Sequence, residues 1–481
     1  MQAAITLQSL APALPEIFMV AAICVVLLAD VFAGAAARRI TPTLTLVVIA
    51  LGAALTILHA QVPERVVLFS GMYVADPLGT LLKLLGFLFT GVALLYSRAY
   101  LEARNLLKGE YYVLVLTALL GIFVIASAGS LLTLYIGVEL LALSLYALVA
   151  FDRDSGIAAE SAMKYFVLGA IASGCLLYGM SLVYGMSGSL LLADLAVRLQ
   201  GEASLGLIMG IVFLVVGVAF KFGAVPFHMW VPDVYQGAPS SVTLFVATAP
   251  KIASFALAFR LLAGGLGQVA GTWMQMLSIV AIASLVLGNV VAIAQTSLKR
   301  MLAYSAIGNV GFILLGFVAG TEQGYEAALY YTVVYVLMTL GSFGVILLAS
   351  RAGFEASELD DYKGLHARDP LLALIMMVLM FSTAGIPPFV GFWAKLQIFQ
   401  ALWAVNQMAL VVCAAAVSVI GVFYYLRIVK LMYFDDPGNL PAGGGAIAVR
   451  AALGLNALAV LALGLLPNAL LTLCARVLGS G

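Results

Sequence analysis

The stretch Lys221-Phe222-Gly223-Ala224-Val225-Pro226-Phe227-His228-Met229-Trp230 returns in altered form as Gly385-Ile386-Pro387-Pro388-Phe389-Val390-Gly391-Phe392-Trp393-Ala394-Lys395. Gly223 and Gly385, Pro226 and Pro388, and Phe227 and Phe389 share one offset, 162 residues. Each stretch interrupts a long apolar run and carries a lysine. Proline inside a helix removes a hydrogen bond and breaks or kinks it. At membrane depth such a break is tolerated only where the freed backbone is buried in protein or lines a wet cavity. Matched breaks in two halves of a membrane chain point to an inverted repeat built around a transport path.

Composition agrees with a membrane chain. Of 481 residues, 64% are hydrophobic and 9% charged, against roughly 25% charged in soluble domains. A net charge of +1 argues against a nucleic-acid partner. The N-terminus lacks a basic region followed by a cleavage site, so no removable signal is expected. Cys24, Cys175, Cys413 and Cys474 lie in apolar stretches and form no CxxC pair, which speaks against metal or redox roles.

With about 20 apolar residues per spanning helix, the chain divides into about fourteen segments. They lie near 13–33, 41–61, 73–97, 111–128, 130–150, 163–185, 204–230, 239–262, 271–295, 300–319, 326–350, 369–404, 406–433 and 446–474. The expected fold is an all-α polytopic membrane protein with two discontinuous helices, segments seven and twelve. Segment twelve comes five places after segment seven, an odd offset, so the copies are inverted. The natural units are 1–110 (segments one to three), 111–262 (four to eight), 263–433 (nine to thirteen) and 434–481 (fourteen). Fifteen lysines and arginines flank the ends shared by one face. Only Arg65, Arg198, Arg260 and Arg476 flank the other, and four lysines fall inside segments. The positive-inside bias therefore predicts both termini on the outer, periplasmic side.

Four ionisable residues fall deep in these segments. At about 1.5 Å per residue, Glu139, Lys221 and Lys395 sit roughly 14 Å from the nearer end and Lys251 roughly 18 Å, near the middle of a core about 30 Å thick. Snorkelling does not reach that far. Desolvation favours a neutral amine, and a nearby carboxylate favours the charged one. One carboxylate among three lysines thus suits a proton relay, the alternative being a buried ion pair that only fixes packing. His228, in the first break, is of a type that titrates near neutral pH and equally suits a structural role. Lys164 stands four residues after Glu160, the spacing of a surface pair. Lys83 either joins the polar axis or marks a third helix that begins later than drawn. Glu16 and Asp30 are expected at the interfaces. The run 230–239 reads as a re-entrant turn. No phosphate loop, dinucleotide fingerprint or haem motif occurs, so no cofactor-binding or metal-ligating residue is expected.

With these residues in view, the chain resembles the antiporter-like membrane subunits of respiratory complex I, NADH:quinone oxidoreductase. The resemblance covers nearly the whole length. It rests on Gly137-Val138-Glu139-Leu140, on the run from Phe220 to Asp233, on Gly237-Ala238-Pro239, on Lys299-Arg300-Met301-Leu302-Ala303-Tyr304-Ser305, and on Gly385 to Lys395. Among the three paralogues it looks most like the smallest, which lacks a long lateral helix. Lys395 stands where subunit M typically has glutamate, and Tyr335 lies where the larger paralogues tend to carry histidine. The resemblance implies Glu139 and Lys221 as a coupled pair, Lys251 as central relay and Lys395 as the lysine of the second half-channel; it implies nothing for Lys83. It also implies NADH, FMN, iron–sulfur clusters and quinone on partner subunits, contacts with subunit M and small subunits such as K and J, a lipid surround, and a bacterial inner membrane. Relatives in cation/proton antiporters and membrane-bound hydrogenases keep those functions open, and a gene neighbourhood would separate them. A stand-alone solute carrier would transport without partners.

Overall fold

The computed structural model describes residues 10–59, 65–199, 204–437 and 447–479. In chain order the first crossings are α1 (Leu14–Ala33) and α2 (Ala37–His59). An antiparallel ribbon follows, β1 (Val66–Leu68) with β2 (Tyr73–Ala75), and then come α3 (Pro77–Ala103), α4 (Gly109–Ala126), α5 (Leu131–Val149) and α6 (Gly156–Ser187). A short α7 (Leu192–Arg198) leads to α8 (Leu205–Phe222), the break, α9 (Trp230–Gly237), α10 (Ser240–Ala247) and α11 (Ala249–Ala258), which runs on as a π-helix over Phe259–Gly265. Next are α12 (Ala270–Ile293), α13 (Leu298–Val318), α14 (Glu322–Ala349) and the short α15 (Leu365–Arg368). The chain closes with α16 (Pro370–Ala384), a second break, α17 (Val390–Ala404), α18 (Met408–Phe434), α19 (Ile447–Leu465) and α20 (Asn468–Leu478). Among the described residues, thirteen helices are long and apolar enough to cross a membrane. The pair α16–α17, 15 residues each, is interrupted at 385–389.

Local chemistry sets these boundaries. Asp76, Ser130, Ser204, Thr321 and Asp369 each cap a helix start by accepting from a first-turn N–H. Helices α8 and α16 both end on a glycine in the left-handed region, Gly223 at φ +76° and Gly385 at φ +87°, where a side chain is disfavoured. Each break holds one cis bond, Val225–Pro226 and Pro387–Pro388. The central crossings α10–α11, α13 and α14 are almost wholly buried. By contrast α1, α18 and α19 leave most of their surface outside the chain, as expected of lipid- or partner-facing helices.

Several expectations need correction. Segment three begins at Pro77, because residues 73–75 form a strand; the class is all-helical apart from this ribbon. Residues 230–237 are two turns of helix and not a turn. Segment eight, drawn as one helix, bends at Thr248 ahead of Pro250. Segment fourteen splits after Leu465 into α19 and the short α20, and its first residue, 446, lies outside the described residues, as do parts of the units 1–110 and 434–481. Glu16, expected at an interface, is paired with Lys83, and its side chain is only 13% exposed.

The two glycines carry a testable consequence. A Cβ on Gly385 would stand 2.9 Å from Lys395 Cδ and 3.1 Å from its Nζ, and one on Gly223 would stand 2.5 Å from Val231 Cγ2. The left-handed conformation alone costs a non-glycine residue about 1–2 kcal/mol. Gly223→Ala and Gly385→Ala are therefore expected to lower the melting temperature in detergent, and Gly385→Ala also to dislodge Lys395. Unchanged melting for both would show the breaks to be tolerant of side chains.

Candidate functional site

Breaking a helix leaves carbonyls without intrahelical donors. At the end of α8 these are satisfied from several directions. Gly223 N–H and Trp230 Nε1–H donate to Phe220 O, at 2.9 and 3.1 Å. Ser254 Oγ–H donates to Lys221 O at 3.0 Å. Lys251 Nζ donates to Phe222 O at 2.6 Å. A cation at a helix C-terminus is also favoured by the helix dipole, so the broken end holds the ammonium of Lys251 without any carboxylate.

The second break repeats the device with a different element. Lys395 Nζ donates to Ala384 O at 2.7 Å and to Ser418 Oγ at 2.9 Å. Ala384 is the residue 162 positions after Phe222, so two lysines grip corresponding carbonyls. Lys251 reaches its carbonyl from α11, beyond the broken segment, and Lys395 reaches its own from α17, within the broken pair. The serine from the following helix, Ser254 or Ser418, takes part in both.

Lys221 and Lys251 line one cavity of about 30 Å³, with Ser254, Trp230, Tyr165 and Leu141. A cavity of that size holds about two waters. Lys251 is buried, whereas Lys221 is only partly so. Trp230 forms part of the wall by stacking on Tyr165, centroids 4.5 Å apart.

Glu139 stands on α5 near this group, close enough to act electrostatically on Lys221. No ion pair joins the two, and Glu139 Oε1 is buried with no hydrogen-bond partner. Tyr146, two turns further along the same helix, also has a buried, unpartnered hydroxyl. His228 lies in the first break, partly buried, with Nδ1 unpartnered. It joins none of the lysines, and the neighbouring Pro226 and Met229 are exposed.

Sequence reasoning missed a polar chain behind Lys395. Its Nζ lies 5.3 Å from the centre of the Phe312 ring, which stacks on Tyr331. Tyr331 Oη–H donates to Asn309 Oδ1 at 2.8 Å, Asn309 Nδ2 donates to Ser305 O at 2.8 Å, and Ser305 Oγ and Tyr425 Oη share a hydrogen bond of 2.5 Å. Tyr335, Ser305, Thr339 and Thr383 line a further cavity of about 10 Å³. A polar pair at i, i+4 in an apolar helix, Ser305 and Asn309, was the available signal. Lys299, counted with the loop charges, is buried and donates to Ala238 O at 3.1 Å, with Glu355 3.8 Å away. Lys164 does pair with Glu160, at 2.9 Å, and also with Asp233, at 3.0 Å.

Residues 128–421 match the family model described as "NADH:quinone oxidoreductase/Mrp antiporter, TM". The chain is 53% identical to NADH-quinone oxidoreductase subunit N of Thiobacillus denitrificans over 99% of both chains. Among solved structures it superposes on a chain of respiratory complex I from Thermus thermophilus with bound aureothin, at TM-score 0.82 and 33% identity over 97% of this chain and 99% of that one. It also superposes on a chain of the Mrp complex from Dietzia, at TM-score 0.86 but 22% identity, over 99% and 97%; that likeness is one of fold.

Proposed function

The chain belongs to the NADH:quinone oxidoreductase/Mrp antiporter membrane family, and on that premise we propose that it is the proton-translocating subunit N of a bacterial complex I. Its neighbours are other membrane subunits of that complex, with subunit M and the small subunits K and J as the expected contacts. NADH, FMN, iron–sulfur clusters and quinone work on partner chains. The setting is the inner membrane, with both termini periplasmic.

Glu139, Lys221, Lys251 and Lys395 form the proton path in this reading, with His228 as an accessory group. One observation carries it: amines in the middle of the membrane are held by helix-end carbonyls and hydroxyls, with no carboxylate locking their charge. Retreat of a carboxylate from about 4 to about 8 Å weakens its attraction for an ammonium by about 2 kcal/mol at an effective dielectric of about 20. That is roughly a thirtyfold bias in favour of proton loss. Motion of Glu139 relative to Lys221 therefore switches proton release into the shared cavity, from which Lys251 and then Lys395 take it up. Residues 111–262 and 263–433 are read as the two inverted units that carry the half-channels.

The test is purification of the complex that contains this chain and its reconstitution into sealed vesicles. NADH oxidation with quinone should acidify the lumen, and Lys221→Ala should abolish the part carried here. A purified assembly without NADH- and quinone-reacting subunits would overturn the assignment.

A further inference from the structure

Segment eight offers no proton site between Lys251 and its end on the face where α1 begins. Between Lys251 and Arg260 its residues are Ile252, Ala253, Ser254, Phe255, Ala256, Leu257, Ala258 and Phe259, none of them titratable. The neighbouring α3, which packs along α11, carries the buried Lys83. Arg260 grips Asp76, the cap of α3, through two hydrogen bonds of 2.5 and 2.7 Å, which fixes the relative height of the two elements. From that joint Lys83 lies seven residues inward, about 10 Å, and Lys251 nine residues, about 13 Å. The two lysines thus sit at nearly one depth.

Lys83 faces a built polar site. Its Nζ pairs with Glu16 Oε1 at 2.5 Å and donates to Tyr73 Oη at 3.0 Å. Tyr73 Oη–H is shared between Pro12 O, at 2.8 Å, and Glu16 Oε2, at 3.1 Å, while Ser127 Oγ–H donates to Glu16 Oε1 at 3.2 Å. Beside the pair is a cavity of about 30 Å³ lined by Lys83, Thr80, Ser127, Asp76, Thr56 and His59. Asp76 also lines, with Arg65, Arg260 and Gly264, a larger vestibule of about 370 Å³. A carboxylate therefore stands between a water-sized cavity at Lys83 and a space that holds many waters. A pair that only stapled α1 to α3 would require neither space.

We propose that the Glu16–Lys83 pair is a proton site on the outlet side of this chain, discharging past Asp76 into the vestibule beside Arg260. The inference rests on the proton-path reading above. In each cycle Lys83 passes its proton to Glu16, a proton from the interior restores the ammonium, and Glu16 releases its proton through water in the Asp76 cavity. Nothing is oxidised or reduced.

The experiment measures protons moved per electron by the reconstituted whole complex, with Lys395→Arg as the benchmark. Lys83→Arg preserves the ion pair but stays protonated; it should assemble and lose the same share of translocation as Lys395→Arg. Thr80→Leu leaves the pair untouched and fills the cavity, and should produce the same loss. In infrared difference spectra of turnover, a carboxylic-acid band should disappear in Glu16→Gln. Wild-type stoichiometry in Lys83→Arg and Thr80→Leu, with Lys395→Arg defective, would reduce the pair to a staple. Wild-type stoichiometry in all three would instead remove the proton-path reading itself.

Discussion

Lys395→Arg is expected to assemble into the complex at normal levels and to pump nearly as poorly as Lys395→Ala. Arginine keeps the positive charge and can still donate to Ala384 O and Ser418 Oγ, the partners of Lys395. Its guanidinium does not release its proton under working conditions. A fixed counter-charge at the helix end would survive this exchange, whereas a carrier would not. The initial rate of lumen acidification should fall at least about tenfold, short of the roughly 10²–10⁴-fold that a proton-transfer group contributes. Native gels check assembly. Full pumping by the arginine variant would make Lys395 an electrostatic anchor.

Glu139→Gln should give a different pair of results. Proton translocation should fall sharply, and NADH:quinone turnover with it, because tightly coupled steps share one free-energy drop. Stability should not fall, since the carboxylate has a buried oxygen without a hydrogen-bond partner and an unsatisfied buried polar group is costly. A melting temperature equal to or above that of the wild type, together with lost pumping, is what a functional strain predicts. Normal pumping would end the switch role of Glu139. Normal pumping with reduced melting would identify it as a packing residue.

The breaks were legible because glycine and proline act locally. Gly223 and Gly385 need a left-handed backbone, and the prolines forbid the next turn. The burial of Lys251 and Lys395 was legible because an ionisable residue far inside an apolar run must be covered by protein. The partners were not. Lys251 finds Phe222 O 29 residues away, and Lys83 finds Glu16 67 residues away; neither pairing follows from periodicity. The ribbon at 66–75 is too short to show alternation, and the bend at Thr248 was hidden inside an otherwise apolar run. The 162-residue offset aligned the two breaks, and under it Phe222 and Ala384, whose carbonyls the lysines hold, correspond. It did not reveal that lysines from non-corresponding positions would occupy them.

The carbonyl grip has a kinetic consequence. A neutral amine keeps two N–H groups, so Lys251 can remain tethered to Phe222 O, and Lys395 to Ala384 O, after the proton has gone. Such a lysine has no need to swing like an arm between two stations. On the proposed proton path each works as a turnstile whose post is fixed, while the traffic is rearranging water. The slow step then belongs to the wetting and drying of cavities only large enough for a few molecules, and its rate should respond to heavy water and to side chains that narrow those spaces more than to the flexibility of the lysines themselves.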